Sequence, residues 1–202
     1  MLLAGVAEIR ESLGFDDMVD INAAIRAALD AAEPYLAAAV GTPFVAGSFT
    51  DVFYVSEPFT KGALVLTELK LSRGFVAPEG FSVVRADTAQ TLAQGIDVTD
   101  AVELDTASGR VIDYRTNYVR QFLKVGYSAG FPADPADPGS YALAAVPAWL
   151  REAAKLKTLI TLETHPSIEE AGIKQDTRFL QAQLATILRG RVRYLPSALL
   201  PL

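Results

Sequence analysis

The chain has 202 residues, half of them hydrophobic, which is long enough and apolar enough to bury a core in one compact body. It has no cysteine and a single histidine, which excludes disulfides, thiolate zinc sites and cysteine nucleophiles and argues against a metal site built from histidines. The formal net charge of −6 argues against tight, sequence-independent DNA binding, because such binding needs many cations to neutralise phosphates.

The N-terminal segment MLLAGVAEIRESLG predicts a short helix over residues 3–13. Acid and arginine occur in it too early for a signal peptide, and no apolar run in the chain reaches the roughly 18 residues that a membrane span needs. We therefore expect a protein that is made and kept in a cytosol, with no membrane partner. Nothing in the sequence indicates a cofactor, so none is expected.

A long amphipathic helix is predicted over residues 20–41. Asp20 is a suitable N-cap, and Gly41 followed by Pro43 supplies the stop. The apolar positions recur at helical spacing: Ile21, Ile25, Leu29, Ala32, Leu36 and Val40. We expect this helix to bend near Pro34.

Residues 48–131 predict a small, mostly antiparallel β section. Apolar residues recur there with a period of two, and turns rich in Gly, Pro, Asp and Ser separate the short runs. The predicted strands are FTDVFYV, ALVLTELKL, FSVVRA, AVELD, RVIDY and QFLKVGYSAGF. Residues 132–140, PADPADPGS, follow as a loop, because three prolines and a glycine forbid both helix and central strand.

Two further helices are predicted after this loop, over residues 146–164 and 177–189. The first has Pro147 in its first turn and stops at His165–Pro166, and the second ends at Gly190. The apolar stripe of the first comprises Trp149, Leu150, Ala153, Leu156 and Ile160.

The predicted fold class is α+β, a bundle of about four helices with an inserted small antiparallel β section. One domain is expected over residues 1–190. Residues 191–202, RVRYLPSALLPL, contain two prolines and no clean period, so an extended C-terminal tail is expected there.

The pentapeptide GYSAG, residues 126–130, matches the G-x-S-x-G signature of a serine hydrolase, with Ser128 in the place of the nucleophile. Asp134 or Asp137 and then His165 follow in the chain order of that fold. A small serine esterase is therefore one hypothesis for the function.

The residues around this pentapeptide argue against that hypothesis. A nucleophile elbow needs a sharp turn from a buried strand into a helix, and the proline-rich loop that follows cannot be that helix. No glycine-rich oxyanion loop lies upstream either. The segment is interpreted as a strand that ends in small residues, with Gly126 and Gly130 in a structural turn and no catalytic residue.

The remaining polar candidates are also interpreted without chemistry. His165 stands at a helix end, where histidine commonly caps carbonyls or meets the helix dipole. The acidic pairs Asp97 with Asp100 and Glu103 with Asp105 lack the crowded oxygen ligands of a calcium loop, so they are expected to be solvated surface. No metal site is predicted.

Arg189, Arg191 and Arg193 form the only concentrated basic run. They offer contacts to phosphate or to acidic groups on a partner protein, and the second interpretation is favoured because the apolar tail follows at once. A nucleic-acid-binding module is a further hypothesis, but the run lacks the stacking aromatics and the spread of charge usual for such a face.

The order of these elements resembles the head-tail connector, or adaptor, family of long-tailed bacteriophages and related gene transfer particles. The resemblance spans about residues 21–162. Four segments carry it: the helix AAIRAALDAAEPYLAAAVGTPF, the Leu-Asp to Gly step in VELDTASGRVI, the strand LKVGYSAGF and the helix VPAWLREAAKLKTLI. Within the third segment, Tyr127, Ala129 and Gly130 are the letters similar to the family, and the serine is incidental.

The resemblance implies a connector domain over residues 1–190 and a protein without enzymatic activity. Such proteins form a homomeric ring, usually dodecameric, beneath the portal protein, and they continue the DNA channel and present a docking place for the next neck or tail protein. Double-stranded DNA would pass through without specific contacts, which an acidic wall suits because it repels phosphate. The implied location is the virion neck, assembled in the host cytoplasm.

The chain differs from a minimal member of this family in the longer strand section, with SRGFVAPEGFSVV and TAQTLAQGIDVTD, and in its tail after Gly190. We expect the tail to dock on the portal or on a neighbouring subunit. The residues expected to dock are Arg191, Arg193, Tyr194, Leu195, Leu199, Leu200 and Leu202. A stopper or tail terminator, another ring component of the neck or tail, is the alternative, although such proteins are more often dominated by β-structure.

Overall fold

The computed structural model describes residues 1–14, 21–56, 59–61, 64–113, 118–163, 165–166, 168, 176–189 and 191. Helices and antiparallel sheets occur together, so the predicted α+β class is confirmed. Where the sequence predicts one domain over residues 1–190, the structure separates into two compact units. The helical unit consists of the described residues of Met1–Gly41 and Phe131–Val192, and the β unit is Thr42–Gly130.

Four α-helices of the helical unit have both of their ends among the described residues. They are α1 (Val6–Ser12), α2 (Asn22–Val40), α3 (Ala148–Leu162) and α4 (Thr177–Leu188). The start of α1 is fixed by the side chain of Glu8, whose Oε2 accepts the main-chain N–H of Gly5 at 3.4 Å. The predicted N-cap of α2, Asp20, lies outside the described residues, and Pro34 lies inside this helix.

Apolar burial in the helical unit is concentrated on α2 and α3. The fully or almost fully buried side chains include Ile25, Leu29, Leu36 and Val40 of α2 and Leu150, Ala153, Ala154 and Leu162 of α3. Burying each large aliphatic side chain contributes about 1.5 to 3 kcal/mol. By contrast, α4 packs on α3 and has one buried residue, Leu184. The unit is thus a pair of long helices with two flanking ones, which is less regular than the predicted four-helix bundle.

The loop before α3 is fastened to α2 by a side-chain hydrogen bond. The hydroxyl of Tyr141 donates to Oε1 of Glu33 at 2.6 Å, and the Tyr141 ring is fully buried. Burial, reinforced by the Glu33 carboxylate, raises the pKa of Tyr141 above its usual value. The same loop is closed by Asp134 and Asp137, whose carboxylates accept the main-chain N–H groups of Ala136 and Gly139.

The β unit contains two antiparallel sheets of four strands each. The first has the order β1-β8-β4-β5, and the second has the order β2-β3-β7-β6. The strands are β1 (Gly47–Val55), β2 (Phe59–Lys61), β3 (Leu64–Lys70), β4 (Val76–Ala86), β5 (Ile96–Asp97), β6 (Glu103–Asp105), β7 (Arg110–Asp113) and β8 (Gln121–Ala129).

The inner faces of the two sheets share one hydrophobic core. Side chains alternate along β8, so Leu123, Val125 and Tyr127 are buried while Lys124 and Ser128 are exposed. The buried cluster combines residues of both sheets, including Phe53, Val83 and Val125 of the first and Leu69 and Val111 of the second. A core of its own is the physical reason why the β section forms a separate unit.

The strand next to the edge strand β5 of the first sheet is irregular. β4 pairs with β8 on both sides of a bulge between Ala77 and Ser82, where Gly80 has a φ of +75°. Beyond it, the main-chain N–H of Val98 donates to the Val83 oxygen, and the Thr99 hydroxyl accepts the Val83 N–H. A short chain segment therefore covers the outer edge of β4.

No helix in the described parts of the chain is long and apolar enough to cross a membrane.

Candidate functional site

Ser128 lies within β8, with a neighbouring strand on each side. It stands opposite Ser48 of β1 and Ala77 of β4, and its side chain is exposed. After it the chain continues through Ala129 and Gly130 into the proline-rich loop, and no helix begins there. A nucleophile elbow requires a strand-to-helix turn, so the geometry that activates a hydrolase serine does not exist at Ser128.

We expect Ser128→Ala to leave the protein unchanged, because the side chain of Ser128 is exposed to solvent. The free energy of unfolding should change by less than about 0.5 kcal/mol. Urea unfolding and hydrolysis of a p-nitrophenyl ester by the purified protein provide the measurement. Loss of a measurable ester hydrolysis in a folded Ser128→Ala variant would restore the esterase hypothesis.

Asp97 and His165, two of the other polar candidates, form hydrogen bonds with nearby main-chain groups. Oδ1 of Asp97 accepts the main-chain N–H of Thr99 at 2.8 Å, and the hydrogen bonds from Thr99 lower the pKa of Asp97. His165 donates its main-chain N–H to the Leu162 oxygen at 2.9 Å, just after α3. Among the described residues, no group of three or more histidine or acidic side chains is arranged to hold a metal ion.

A buried polar network lies where the sequence predicts only a strand. The carboxylate of Asp51, on β1, is 7% exposed and accepts three hydrogen bonds. They come from the Ser72 N–H at 2.6 Å, the Ser72 hydroxyl at 2.9 Å and the Tyr127 hydroxyl at 2.8 Å. The main-chain N–H of Arg73 donates to the Tyr127 oxygen at 3.3 Å. Asp51 and Tyr127 therefore hold the chain after β3 against the first sheet.

Stability should decline at high pH because of Tyr127. Burial raises the pKa of this phenol from 10.0 to about 12, and the Asp51 carboxylate adds to the shift. The unfolded chain loses the proton first, so the contribution is complete below about pH 10 and is lost as the pH rises to about 12. The loss amounts to about 2 kcal/mol. Urea unfolding between these pH values should show a shallower decline in Tyr127→Phe, and equal slopes in the two proteins would contradict the assignment.

Gly130 and Gly126 have different structural reasons to be glycine. Gly130 has a φ of +90°, and a Cβ there would lie 2.5 Å from the main-chain oxygen of Val45. The predicted turn at Gly126 is not observed, because Gly126 lies inside β8 between Thr50 and Ser82. A Cβ at Gly126 would lie 3.0 Å from the Ser82 hydroxyl, so close packing beside the bulge accounts for this glycine.

The residues at the end of α2 and at the start of the β unit have specific structural roles. Gly41 has a φ of +80° and donates its N–H to the Ala37 oxygen, which ends α2 in a left-handed cap. In the β unit, Phe44 is fully buried, and the hydroxyl of Thr42 accepts the main-chain N–H of Gly74 at 2.9 Å.

The segment VELDTASGRVI forms the hairpin of β6 and β7. Asp105 accepts the main-chain N–H groups of Ala107 and Ser108 and the Ser108 hydroxyl, and Gly109 has a φ of +65°. Partial burial opposes the shift, but these hydrogen bonds keep the pKa of Asp105 below its usual value. The Leu-Asp to Gly step is thus a capped turn with a left-handed residue.

The start of α3 is likewise specified by residue type. Pro147 occupies the N-cap position with a φ of −55°, and its main-chain oxygen accepts the N–H groups of Leu150 and Arg151. Val146 before it is 3% exposed, and Leu150 is fully buried. The Val-Pro-x-x-Leu spacing therefore places two apolar anchors around the first turn.

The predicted docking tail is described only at its first residue. Arg191 is exposed, and its guanidinium lies 5.2 Å from the ring centroid of Trp149 in the first turn of α3. Arg189 is exposed at the end of α4. The other predicted docking residues lie outside the described residues: Arg193, Tyr194, Leu195, Leu199, Leu200 and Leu202.

An exposed apolar surface on the last two helices was not predicted from the sequence. A cavity of about 470 Å³ lies between α3 and α4, lined by Leu156, Phe179 and Ile187 among others. The Phe179 side chain is 58% exposed. The apolar spacing of α4 predicts a helix, but it does not tell which of its apolar residues face a partner helix and which face solvent.

Comparison with known proteins identifies no family for the chain. No family model matches the chain, and no curated protein matches it. A similar solved structure is the neck of an empty GTA particle, computed with C6 symmetry. It is 16% identical with a TM-score of 0.46, and the match covers 92% of this chain and 89% of that chain. A similarity at this level assigns neither a family nor a function.

Proposed function

We propose that this chain is a structural protein of the neck of a phage-like particle. It acts as a head-tail connector, a homomeric ring between the portal and the tail that continues the DNA channel. The observation that carries the proposal is the resemblance of four segments, in order along the chain, to the connector family. An enzymatic activity is not part of the proposed role.

The residues that carry the resemblance support it, because each has a definite structural reason for its type. Tyr127 binds Asp51, Ala129 is buried and Gly130 has a positive φ beside Val45. Gly41 ends α2 in a left-handed cap, and Gly109 closes a turn in the same conformation. Distant members of a family would be expected to share motif residues that have structural roles of this kind.

The surface properties fit passage of DNA and contact with protein partners. A net charge of −6 repels phosphate, so DNA would slide past the wall without being held. Exposed large apolar side chains, including Tyr35, Val45 and Phe179, offer positions for contact with neighbouring subunits. A stopper or tail terminator would have the same surface properties, so the position along the neck decides between these candidates.

The ring is tested by imaging the assembled particle. We expect co-expression with the portal protein to give a complex in which cryo-electron microscopy shows a closed ring, dodecameric by the connector resemblance, on the tail side of the portal. Its lumen should be acidic or neutral. A single copy or a dimer in the particle would refute the ring, a position further from the portal would identify another neck or tail component, and a continuous basic lumen would indicate a protein that grips DNA.

We expect deletion of residues 192–202 to abolish joining to the portal while leaving a soluble, folded protein. Burying the four leucines of this segment contributes about 1.5 to 3 kcal/mol each. Ordering the main chain costs about 1 to 2 kcal/mol per residue, so one tail binds weakly and a ring of tails binds by multivalency. The deletion retains Arg191 and its contact with Trp149.

Pull-down with the portal protein measures whether the deletion variant binds the portal, and circular dichroism measures whether it is folded. The matched control replaces the tail's leucines by serine at full length, and it should also fail to bind. Insoluble protein from both variants would show that the tail covers its own subunit, and normal portal binding by both would refute the docking role.

A further inference from the structure

The first sheet has an open edge along β1. This strand stands at one end of the order β1-β8-β4-β5, so it is paired on one side only, with β8. The pairing continues without a bulge over all nine residues of the strand. The other three border strands, β5, β2 and β6, have two or three residues each. β1 therefore presents the longest free strand edge in the described part of the chain.

The residues that point to this open edge follow from the neighbouring pairs. The N–H and oxygen of Val83 on β4 point away from β8, because they bond to the Thr99 hydroxyl and the Val98 N–H. Its pair partner Val125 therefore directs its own main-chain groups to β1, where it stands opposite Asp51. Since this direction alternates along a strand, odd-numbered residues of β1 bond to β8 and even-numbered ones point outward. The outward residues are Ser48, Thr50, Val52 and Tyr54.

The outward main-chain groups are unpaired. None of these four residues bonds through its main-chain N–H or oxygen to another residue of the described chain. Proteins usually protect a long edge strand with proline, lysine or a bulge, and β1 contains none of the three. Its one charged side chain, Asp51, is turned inward and bound by Ser72 and Tyr127. The edge is therefore suited to pairing with another extended chain.

The sequence of the predicted tail has the properties that such a pairing requires. Every even-numbered residue from Val192 to Leu200 is apolar, whereas the arginines and the serine have odd numbers. An extended segment over these residues thus has one wholly apolar face. Pro196 has no N–H, so it is tolerated only where the main chain points away from the neighbouring strand. The odd-numbered residues are then the ones that can bond to β1.

The proline and the apolar face select the same arrangement. Residues that bond to each other across two strands carry their side chains on the same face of the sheet. The odd-numbered tail residues would accordingly share the exposed face of Ser48, Thr50 and Tyr54. The apolar even-numbered ones would lie on the inner face, beside the core residues Phe53 and Val55.

We propose that residues 192–200 of a neighbouring copy add an antiparallel strand to the open edge of β1. The segment matches the nine residues of β1 in length and places Leu195 opposite Val52. The choice of a neighbouring copy rests on the proposed ring. Each copy there has one open edge and one tail, so an exchange of tails from each copy to the next pairs every edge and closes the ring.

The inference is tested by disulfide trapping in the full-length chain, which has no cysteine of its own. A concentrated mixture of Val52→Cys chains and Leu195→Cys chains should form a mixed disulfide on oxidation, identified by mass spectrometry of proteolytic peptides. Tyr194→Cys is the matched control, because its side chain would stand on the other face of the sheet. It should give about tenfold less mixed dimer, since a disulfide needs Cβ atoms that point towards each other.

A chain that carries both Val52→Cys and Leu195→Cys identifies the source of the tail. Cross-linked dimers and larger oligomers are expected. An internal disulfide in a monomer would show that each chain pairs with its own tail and would overturn the inference. Equal trapping at positions 194 and 195, or no trapping at either, would overturn it as well.

The trapping experiment uses the free chain, so its result is separate from that of imaging the particle. A ring on the portal whose chains give no mixed disulfide would overturn the strand pairing and leave the connector proposal intact. Trapped oligomers from a chain that is present as a single copy in the particle would refute the connector ring and leave the pairing intact.

Discussion

Gly130→Val is expected to destabilise the protein by about 3 to 5 kcal/mol. The residue has a φ of +90°, which a β-branched side chain adopts only with strain. A Cβ would also lie 2.5 Å from the Val45 oxygen and 2.7 Å from the Phe44 oxygen, and main-chain atoms cannot move aside as a flexible side chain does. Urea unfolding followed by circular dichroism measures the loss.

A pair of alanine variants separates strain from crowding. Gly80 has a similar φ of +75°, but nothing lies within 4 Å of a Cβ placed there. Gly80→Ala should therefore cost only the conformational term, about 1 to 2 kcal/mol. Gly130→Ala carries the overlap with Val45 as well and should cost more. Equal losses in the two variants would show that the strand end can relax and that crowding at Gly130 is absent.

Asp51→Ala is expected to cost about 3 to 5 kcal/mol, because it removes the acceptor of three hydrogen bonds and leaves buried donors unpaired. Tyr127→Phe removes one of these bonds and should cost about 1 to 2 kcal/mol. Urea unfolding of both single variants and of the double variant measures the coupling.

In the double variant the two losses should not add, since the Tyr127 hydroxyl has already lost its partner when Asp51 is absent. A cost below about 1 kcal/mol for Asp51→Ala would mean that solvent replaces the carboxylate, and the network would then not hold the chain after β3.

The helices could be predicted from the sequence because local chemistry fixes their ends. The predicted helix over 20–41 is found as Asn22–Val40, where Gly41 supplies the left-handed cap. The predicted helix over 177–189 is found as Thr177–Leu188, with the side chain of Asp176 accepting the Phe179 N–H. Helical spacing and capping residues involve only positions a few residues apart, so they can be recognised in a single sequence.

The sheets could be predicted only in part. The run FSVVRA predicts a strand over 81–86, whereas β4 begins at Val76, because Pro78 and Gly80 fall in a bulge that a sequence pattern does not distinguish from a turn. The division into two sheets depends on pairing between distant strands, as in β3 with β7. Such pairing leaves no local signature.

The candidate sites could likewise be predicted only where nearby residues decide the outcome. The proline-rich loop after Gly130 is enough to show that Ser128 has no nucleophile elbow. The role of Asp51 could not be predicted from the sequence, because an acidic residue in an alternating strand usually faces solvent. Only the fold brings Ser72 and Tyr127 to its carboxylate.

The first and last strands of the β unit are paired along their whole length, from Gly47 with Ala129 to Val55 with Gln121. The two ends of the β unit's chain therefore lie side by side, as in a domain inserted into a host.

The position of these chain ends bears on the order of folding. α2 and α3 pack together although roughly a hundred residues separate them, and closing so long a flexible loop is entropically costly. A β unit that forms first shortens that loop to six residues before β1 and eighteen after β8, which lowers the closure cost by about 1 kcal/mol. The two parts of the chain that form the helical unit would then already be held close together. Insertions within the β unit would therefore leave the folding rate of the helical unit almost unchanged.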